Sequence, residues 1–370
     1  MKRAMNETTL LVQRGNNQRL TSAGFRNAVD VVRWFGAMQA QDFNAAKWAL
    51  ALRMRGTPSA AAVEQDYNDG RILRTHVMRP TWHFVAPEDI RWLLELTAPR
   101  VNLKAATNYR KLELDASTCK RSNKILAQAL EGGKHLTRTE LKMVLNRAGI
   151  PADDTIRMAH IMLRAELDGV VCSGRRIGKQ FTYALLHERV PPAQPLSREE
   201  ALAKLTLRYF SSHGPATLPD FVWWSGLTGA QARQGLALID SEIEKAVVNE
   251  RVYYFARAKS HREVSATSAY LLPIYDEYNV AYKDRQITVD FTSGEPSSAT
   301  WGMLGPNVML AGKIVGAWKA TREKHALTIL INAGRPLTKL ERSAIAKAAE
   351  RYATFAGITH HCLTFAIQTC

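Results

Sequence analysis

The stretch Arg71-Ile-Leu-Arg74-Thr-His76-Val-Met-Arg79-Pro80-Thr-Trp82-His83-Phe-Val85 consists of two β-prone runs broken at a proline, the pattern of a hairpin that turns at Arg79-Pro80. Three stretches with helical spacing precede it. Over 21–37, Thr21-Ser22-Ala23 supplies an N-cap, and Phe25, Val29, Val32 and Phe35 form an apolar stripe. Residues 43–54 stop before Gly56, and residues 59–67 close at Asp69-Gly70. Helices followed by a hairpin predict a winged helix.

The same order recurs downstream. After a helical stretch over 122–130 and Gly132-Gly133, Thr137-Arg-Thr-Glu140 is a capping box opening a helix that Gly149 ends. A helix over 153–167 closes at Asp168-Gly169. Val170-Val-Cys-Ser-Gly174 then pairs with Gln180-Phe-Thr-Tyr-Ala184 across a basic wing. Beyond a proline-rich linker at 191–195, helices over 198–210, 217–226 and 228–246 precede β-prone runs at 246–248 and 251–255. From Ala269 short β-prone runs take over, interrupted by a helix over 339–352. The expected fold is α+β, with three tandem winged helices at 1–112, 113–192 and 193–265 on a mainly β scaffold at 266–370.

A chain of 370 residues with 46% apolar content has room for several modules and a sizeable core. Its polar start, MKRAMNETTL, and the lack of a bilayer-length apolar run read as a cytoplasmic, nucleoid-associated bacterial protein, with no membrane partner. Cys119, Cys172, Cys362 and Cys370 form no C-x-x-C pair, so neither a disulfide framework nor a metal site is expected, and no cofactor motif is present. The formal charge is +16, and residues 1–190 carry 30 basic against 18 acidic side chains. Such an excess selects a polyanion, because each neutralised phosphate releases counterions. Arg71, Arg74, His76 and Arg79 in or beside the first hairpin, and Arg175, Arg176 and Lys179 in the second, are the expected DNA contacts. Solvated charge on exposed loops is the competing reading at each position.

The chain has no G-x-S-x-G, Walker A, H-E-x-x-H or strand-linked G-x-G-x-x-G motif, which leaves serine-hydrolase, nucleotide-motor and metalloprotease chemistry unsupported. Instead, Ala37-Met-Gln39-Ala-Gln41-Asp42 sets polar side chains between two helices, where they need partners or a task. Capping by Asp42 is the structural alternative. His83 and His76 are further candidates, since a hairpin residue can reach phosphate or substrate, and Trp82 can stack. Packing is the alternative for Trp82, and Trp223 and Trp224 read as core.

The runs Gly36-Ala-Met-Gln-Ala-Gln-Asp42, Ala45-Ala-Lys-Trp-Ala-Leu-Ala-Leu-Arg53, Arg74-Thr-His-Val-Met-Arg-Pro-Thr-Trp-His83, Asp220-Phe-Val-Trp-Trp-Ser-Gly226 and Leu271-Leu-Pro-Ile-Tyr-Asp-Glu-Tyr278 together resemble the winged-helix DNA glycosylases of the AlkZ-like family, which excise alkylated and crosslinked purines. The resemblance spans most of the chain. It implies tandem winged helices on a β domain, a concave basic DNA channel, and a catalytic Gln-x-Gln motif at Gln39 and Gln41. A related branch carries Gln-x-Asp there, so Gln41 places this chain with the crosslink-unhooking type. The chemistry is coherent without the family. A cationic purine leaves as a neutral base, so an amide that positions water and stabilises charge on the sugar suffices, with Asp42 and His83 as supporting candidates. A neutral purine would need leaving-group protonation. With no lysine beside the motif, the expected reaction is monofunctional hydrolysis in duplex DNA carrying alkylated or crosslinked purines, by a monomer, leaving an abasic site. An open channel suits bulky lesions better than a snug flipping pocket. A non-enzymatic winged-helix transcriptional regulator and a genotoxin-sequestering resistance protein are the alternatives.

Overall fold

The computed structural model describes residues 3–21, 24–257, 268–290, 304–323, 326–358 and 360–367; Ser22 and Ala23 of the expected N-cap, and Cys370, lie outside them. The chain opens with β1 (Arg3–Ala4) and α1 (Glu7–Asn17). Helix α2 (Ala28–Phe35) starts later than expected, because Asn27 Oδ1 caps it by accepting from Asp30 N while the Thr21 hydroxyl donates to Asn16. Gly36, at φ 80°, ends it, and the polar run that follows is not a bare junction but strand β2 (Ala37–Gln39). Next come α3 (Phe43–Ala51), α4 (Ala60–Asn68) and the expected hairpin, β3 (Leu73–His76) with β4 (Trp82–Val85). Strand β2 joins them in the order β2-β4-β3. Helix α5 (Pro87–Lys111) then runs for 25 residues with Pro99 inside it.

Helix α6 (Ala116–Leu130), β5 (Leu136–Thr137), α7 (Arg138–Arg147) and α8 (Thr155–Leu167) follow, with both halves of the Thr137–Glu140 capping box in place. Strands β6 (Val171–Ser173) and β7 (Thr182–Leu185) complete a sheet of order β5-β7-β6, and α9 (Leu186–Arg189) leads out. Then come α10 (Arg198–Ser212), α11 (Leu218–Ser225) and α12 (Gly229–Leu238). The helix expected over 228–246 stops at Leu238, because a 3-10 turn at Asp240–Glu242 intervenes and β8 (Ile243–Val248) begins. Strand β8 pairs with β9 (Arg251–Ala256), and β1 adds to it in parallel. The last part holds β10 (Ala269–Leu272), α13 (Glu277–Val280), β11 (Asn307–Leu310), β12 (Lys313–Glu323), β13 (Ala326–Ala333), α14 (Lys339–Phe355) and β14 (His360–Ile367). These strands form one sheet in sequence order, and α14 supplies the crossover that makes β13 and β14 parallel. The architecture is mixed α and β. No helix of the described residues is long and apolar enough to cross a membrane.

The two faces of the β2-β4-β3 sheet are buried in different cores. Met38, Ala40 and Phe84 pack with α2, α3 and the five-stranded sheet, whereas Ala37, Leu73 and Val85 pack with α5 and α10. Alternation along β2 therefore leaves Gln39 on the second face. Helix α3 is held from below by a buried ion pair: Arg53 Nη1 and Nη2 donate to the two oxygens of Asp276 at 2.9 and 2.8 Å, and both side chains are fully buried. Arg53 Nη2 also donates to Gln18 Oε1 at 2.8 Å, and Gln18 Nε2 reaches Glu277 O at 3.2 Å. Replacing Arg53 by Met strands the Asp276 carboxylate in the interior. Urea unfolding is expected to show a loss of about 3–5 kcal/mol, and a loss below about 1 kcal/mol would remove this pair from its structural role.

Candidate active site

Gln39, His83 and Thr75 stand side by side across β2, β4 and β3. Ala40 N donates to Trp82 O at 2.7 Å, which makes Gln39–His83 a non-hydrogen-bonded pair, the kind whose side chains approach most closely. The Gln39 N–H points out of the sheet edge and donates to Glu277 Oε1 at 2.7 Å. Glu277 Oε2 accepts from Trp224 Nε1 at 3.0 Å and from His213 Nε2 at 3.1 Å. Burial pushes the Glu277 carboxyl up, but the hydrogen bonds from His213 and from the Gln39 N–H outweigh it and hold the group below the usual range. Burial pushes His213 down. Glu277 is thus a locked anion beneath the motif. The sequence reading used the run around Glu277 only for its resemblance; two adjacent acids inside an apolar, aromatic stretch were the available signal, since buried carboxylates require partners.

The Gln39 side chain is 9% exposed, and its Oε1 accepts from Arg79 Nη2 at 3.1 Å. Gln41 is exposed, and its Oε1 accepts from Trp82 N at 3.3 Å. Each carbonyl oxygen keeps a lone pair, and neither NH2 group donates within the protein among the described residues. Arg74, expected at a phosphate, is buried instead. Its Nε donates to Ala40 O at 2.9 Å and its Nη2 to Gln41 O at 3.3 Å, while its guanidinium lies 4.2 Å from the centre of the Trp82 ring and 4.7 Å from that of Phe181. Arg74 therefore clamps the backbone between the two glutamines. Burial lowers its pKa.

The remaining candidates separate by partner. Arg176 pairs with Glu64 at 2.8 Å and donates to Lys179 O at 2.8 Å, which fastens the second wing to α4. Arg71 is exposed but paired with Asp66 and Asp69 at 2.9 and 3.0 Å. The His76 ring bonds Glu166 and lies against Trp82, with ring centres 4.5 Å apart. Arg175 and Lys179 are exposed and enter no ion pair among the described residues. Asp42 uses Oδ1 to accept from Ala45 N at 2.9 Å, capping α3. His83 is fully buried, with Nδ1 2.8 Å from Thr81 O and Nε2 without a partner among the described residues. Burial, with Arg79 nearby, pushes its pKa down to about 3, so the ring is neutral at ordinary pH. Among the described residues, no group of three or more His, Cys, Asp or Glu could hold a metal ion.

A pair of carboxamides thus stands beside buried, fixed ionisable groups on a strongly basic chain. Residues 32–355 match the family model described as DNA glycosylase AlkZ-like, and the chain belongs to that family. It is accordingly a DNA glycosylase, a hydrolase acting on N-glycosyl bonds. It is 24% identical over 340 residues to an interstrand DNA cross-link repair glycosylase of Streptomyces sahachiroi, a match covering 86% of this chain and 89% of that protein. Its fold is similar to that of the Streptomyces sahachiroi DNA glycosylase AlkZ, with a TM-score of 0.80, 22% identity and full coverage of both chains.

Both buried histidines have folded pKa values below the unfolded value of 6.5. Their contribution to stability is complete above about pH 6.5 and is lost as pH falls toward the folded values, because the unfolded chain takes up the protons. His83→Gln should flatten the decline in unfolding free energy between pH 6 and 4 by about 1.4 kcal/mol per pH unit, measured by urea titration. An unchanged slope would show that His83 does not titrate from a buried neutral state.

Proposed function

We propose that this enzyme is a monofunctional glycosylase for cationic purines in duplex DNA, N7-alkylguanine and interstrand crosslinks included, and that it leaves an abasic site. We also read residues 1–112, 113–192 and 193–265 as winged helices on a scaffold at 266–370, working as a monomer with DNA as partner. The observation that carries the reading is the geometry of the amide pair: Gln39 is pinned at its backbone by Glu277 and at its carbonyl by Arg79, while Gln41 faces solvent beside it. The cross-link repair named for the Streptomyces sahachiroi relative supports the lesion class.

In the proposed reaction the positively charged base departs as a neutral molecule and takes the bonding electrons with it. Positive charge grows on the sugar, water adds to the anomeric carbon, and the proton it sheds on becoming the hydroxyl passes to solvent water. The carboxamides hold that water and face the developing charge with their carbonyl lone pairs, so catalysis is positioning plus electrostatics. His83 and Asp42 serve the site by packing and capping. Arg74 serves by clamping, and the exposed Arg175 and Lys179 meet phosphate.

The test is single-turnover release of 7-methylguanine from duplex. Gln39→Ala and Gln41→Ala should each slow release by about 10²-fold or more, the scale seen when one preorganised polar group is removed. Unchanged release in both variants removes the catalytic assignment. A wild type that releases no 7-methylguanine removes the proposed substrate class.

A further inference from the structure

We infer that a cavity of about 490 Å3 between the hairpin turn, α5, α11 and α12 is a seat for a backbone phosphate of the bound DNA. This rests on the DNA-glycosylase reading above and names the part of the partner that the cavity takes. Arg79, Arg100, Lys104, Arg233 and Lys283 line it, and among the described residues no carboxylate does. The cations come from separate elements: the hairpin turn, successive turns of α5, the first half of α12 and the segment after α13. Asp220 on α11 is committed elsewhere. Its Oδ2 accepts from Thr217 N at 2.9 Å and from the Thr217 hydroxyl at 2.8 Å, and its Oδ1 from Lys283 N at 2.9 Å.

Two observations suit the cavity to an anion. Among the described residues the five cations enter no ion pair, so their charge is left without a paired counter-charge in the protein. Like charges are also crowded together: burial, then Arg100 and Arg79, push the Lys104 ammonium pKa down. Leu218, Pro219 and Gly229 belong to the first turns of α11 and α12, so the positive ends of both helices adjoin the same space. Trp223, 40% exposed, forms one wall on which a sugar or base can lie. Gly226 explains how the floor closes, because a Cβ there would stand 2.1 Å from Met78 O in the hairpin turn. Arg79 is shared. It lines the cavity and donates to Gln39 Oε1 at 3.1 Å, so a phosphate seated here lies one side chain away from the carboxamide.

The test uses the full chain carrying Arg100→Gln and Lys104→Gln, with two probes: an undamaged duplex followed by fluorescence anisotropy across a salt series, and inorganic phosphate followed by thermal melting. Duplex binding should weaken about ten-fold near 0.1 M salt, and the slope of log K against log salt should shrink by about one. Arg233→Gln, at an exposed position on α12, should change the slope in the same direction and guards against a folding defect in the double variant. If duplex affinity and slope hold while stabilisation by inorganic phosphate disappears, the cavity belongs to a free phosphate and the DNA seat is overturned. If neither probe responds, there is no anion site. Undamaged duplex requires no chemistry, so this outcome is independent of excision by the glutamine variants, whose failure would remove only the catalytic assignment.

Discussion

Two adjacent carboxylates, Asp276 and Glu277, are buried at 0% and 1% exposure, and each is held by partners far away in sequence. Asp276 takes the guanidinium of Arg53 at the end of α3. Glu277 takes the edge of β2 through Gln39 N, α11 through Trp224, and the end of α10 through His213. A buried charge is tolerated only when its partners are complete, so this dipeptide ties separate elements together at one point. The position of Gln39 is a consequence. Its backbone is set by the outer oxygen of a carboxylate that cannot move without unpairing His213 and Trp224.

That constraint also bears on which chemistry is available. A glycosylase for neutral bases needs a group that gives up a proton near neutral pH, and the groups around Gln39 are unsuited to it. Glu277 is held as an anion with both oxygens engaged, and His83 is a buried neutral ring. Asp42 is occupied at the start of α3. What remains is a pair of carboxamides whose NH2 groups have no acceptor among the described residues and whose oxygens keep spare lone pairs, held by Arg74 and Arg79. This is why we propose a substrate whose leaving group already carries positive charge.

Features governed by neighbours in sequence were legible from the chain alone. The hairpin at Leu73–His76 and Trp82–Val85, the Thr137–Glu140 capping box, and Asp42 as an N-cap all depend on residues within a few positions. Features set by tertiary contact were not. Strand β2 is three residues long and exists through its pairing with β4. Helix α5 lacks a single clean apolar stripe and contains Pro99, because its buried positions serve more than one core. The arginines show the limit most clearly. Arg74, Arg79, Arg175 and Arg176 are alike as letters, yet Arg74 is buried against Trp82, Arg176 is paired with Glu64, and Arg79 holds the proposed catalytic amide, while Arg175 faces solvent. Charge counts identify a polyanion as the partner; only packing says which cations are free to meet it.

The central claim is that neutral amides, without a titrating acid or base, carry the hydrolysis because the substrate supplies the charge. The pH dependence of the single-turnover rate tests it directly, using 7-methylguanine beside a neutral purine such as hypoxanthine in the same duplex. The account predicts a flat rate for 7-methylguanine from about pH 5 to 6.5, where the base keeps its N1 proton and its positive charge, and no release of the neutral base. A rate that rises or falls through a single ionisation in that range, or release of hypoxanthine at a comparable rate, would contradict it.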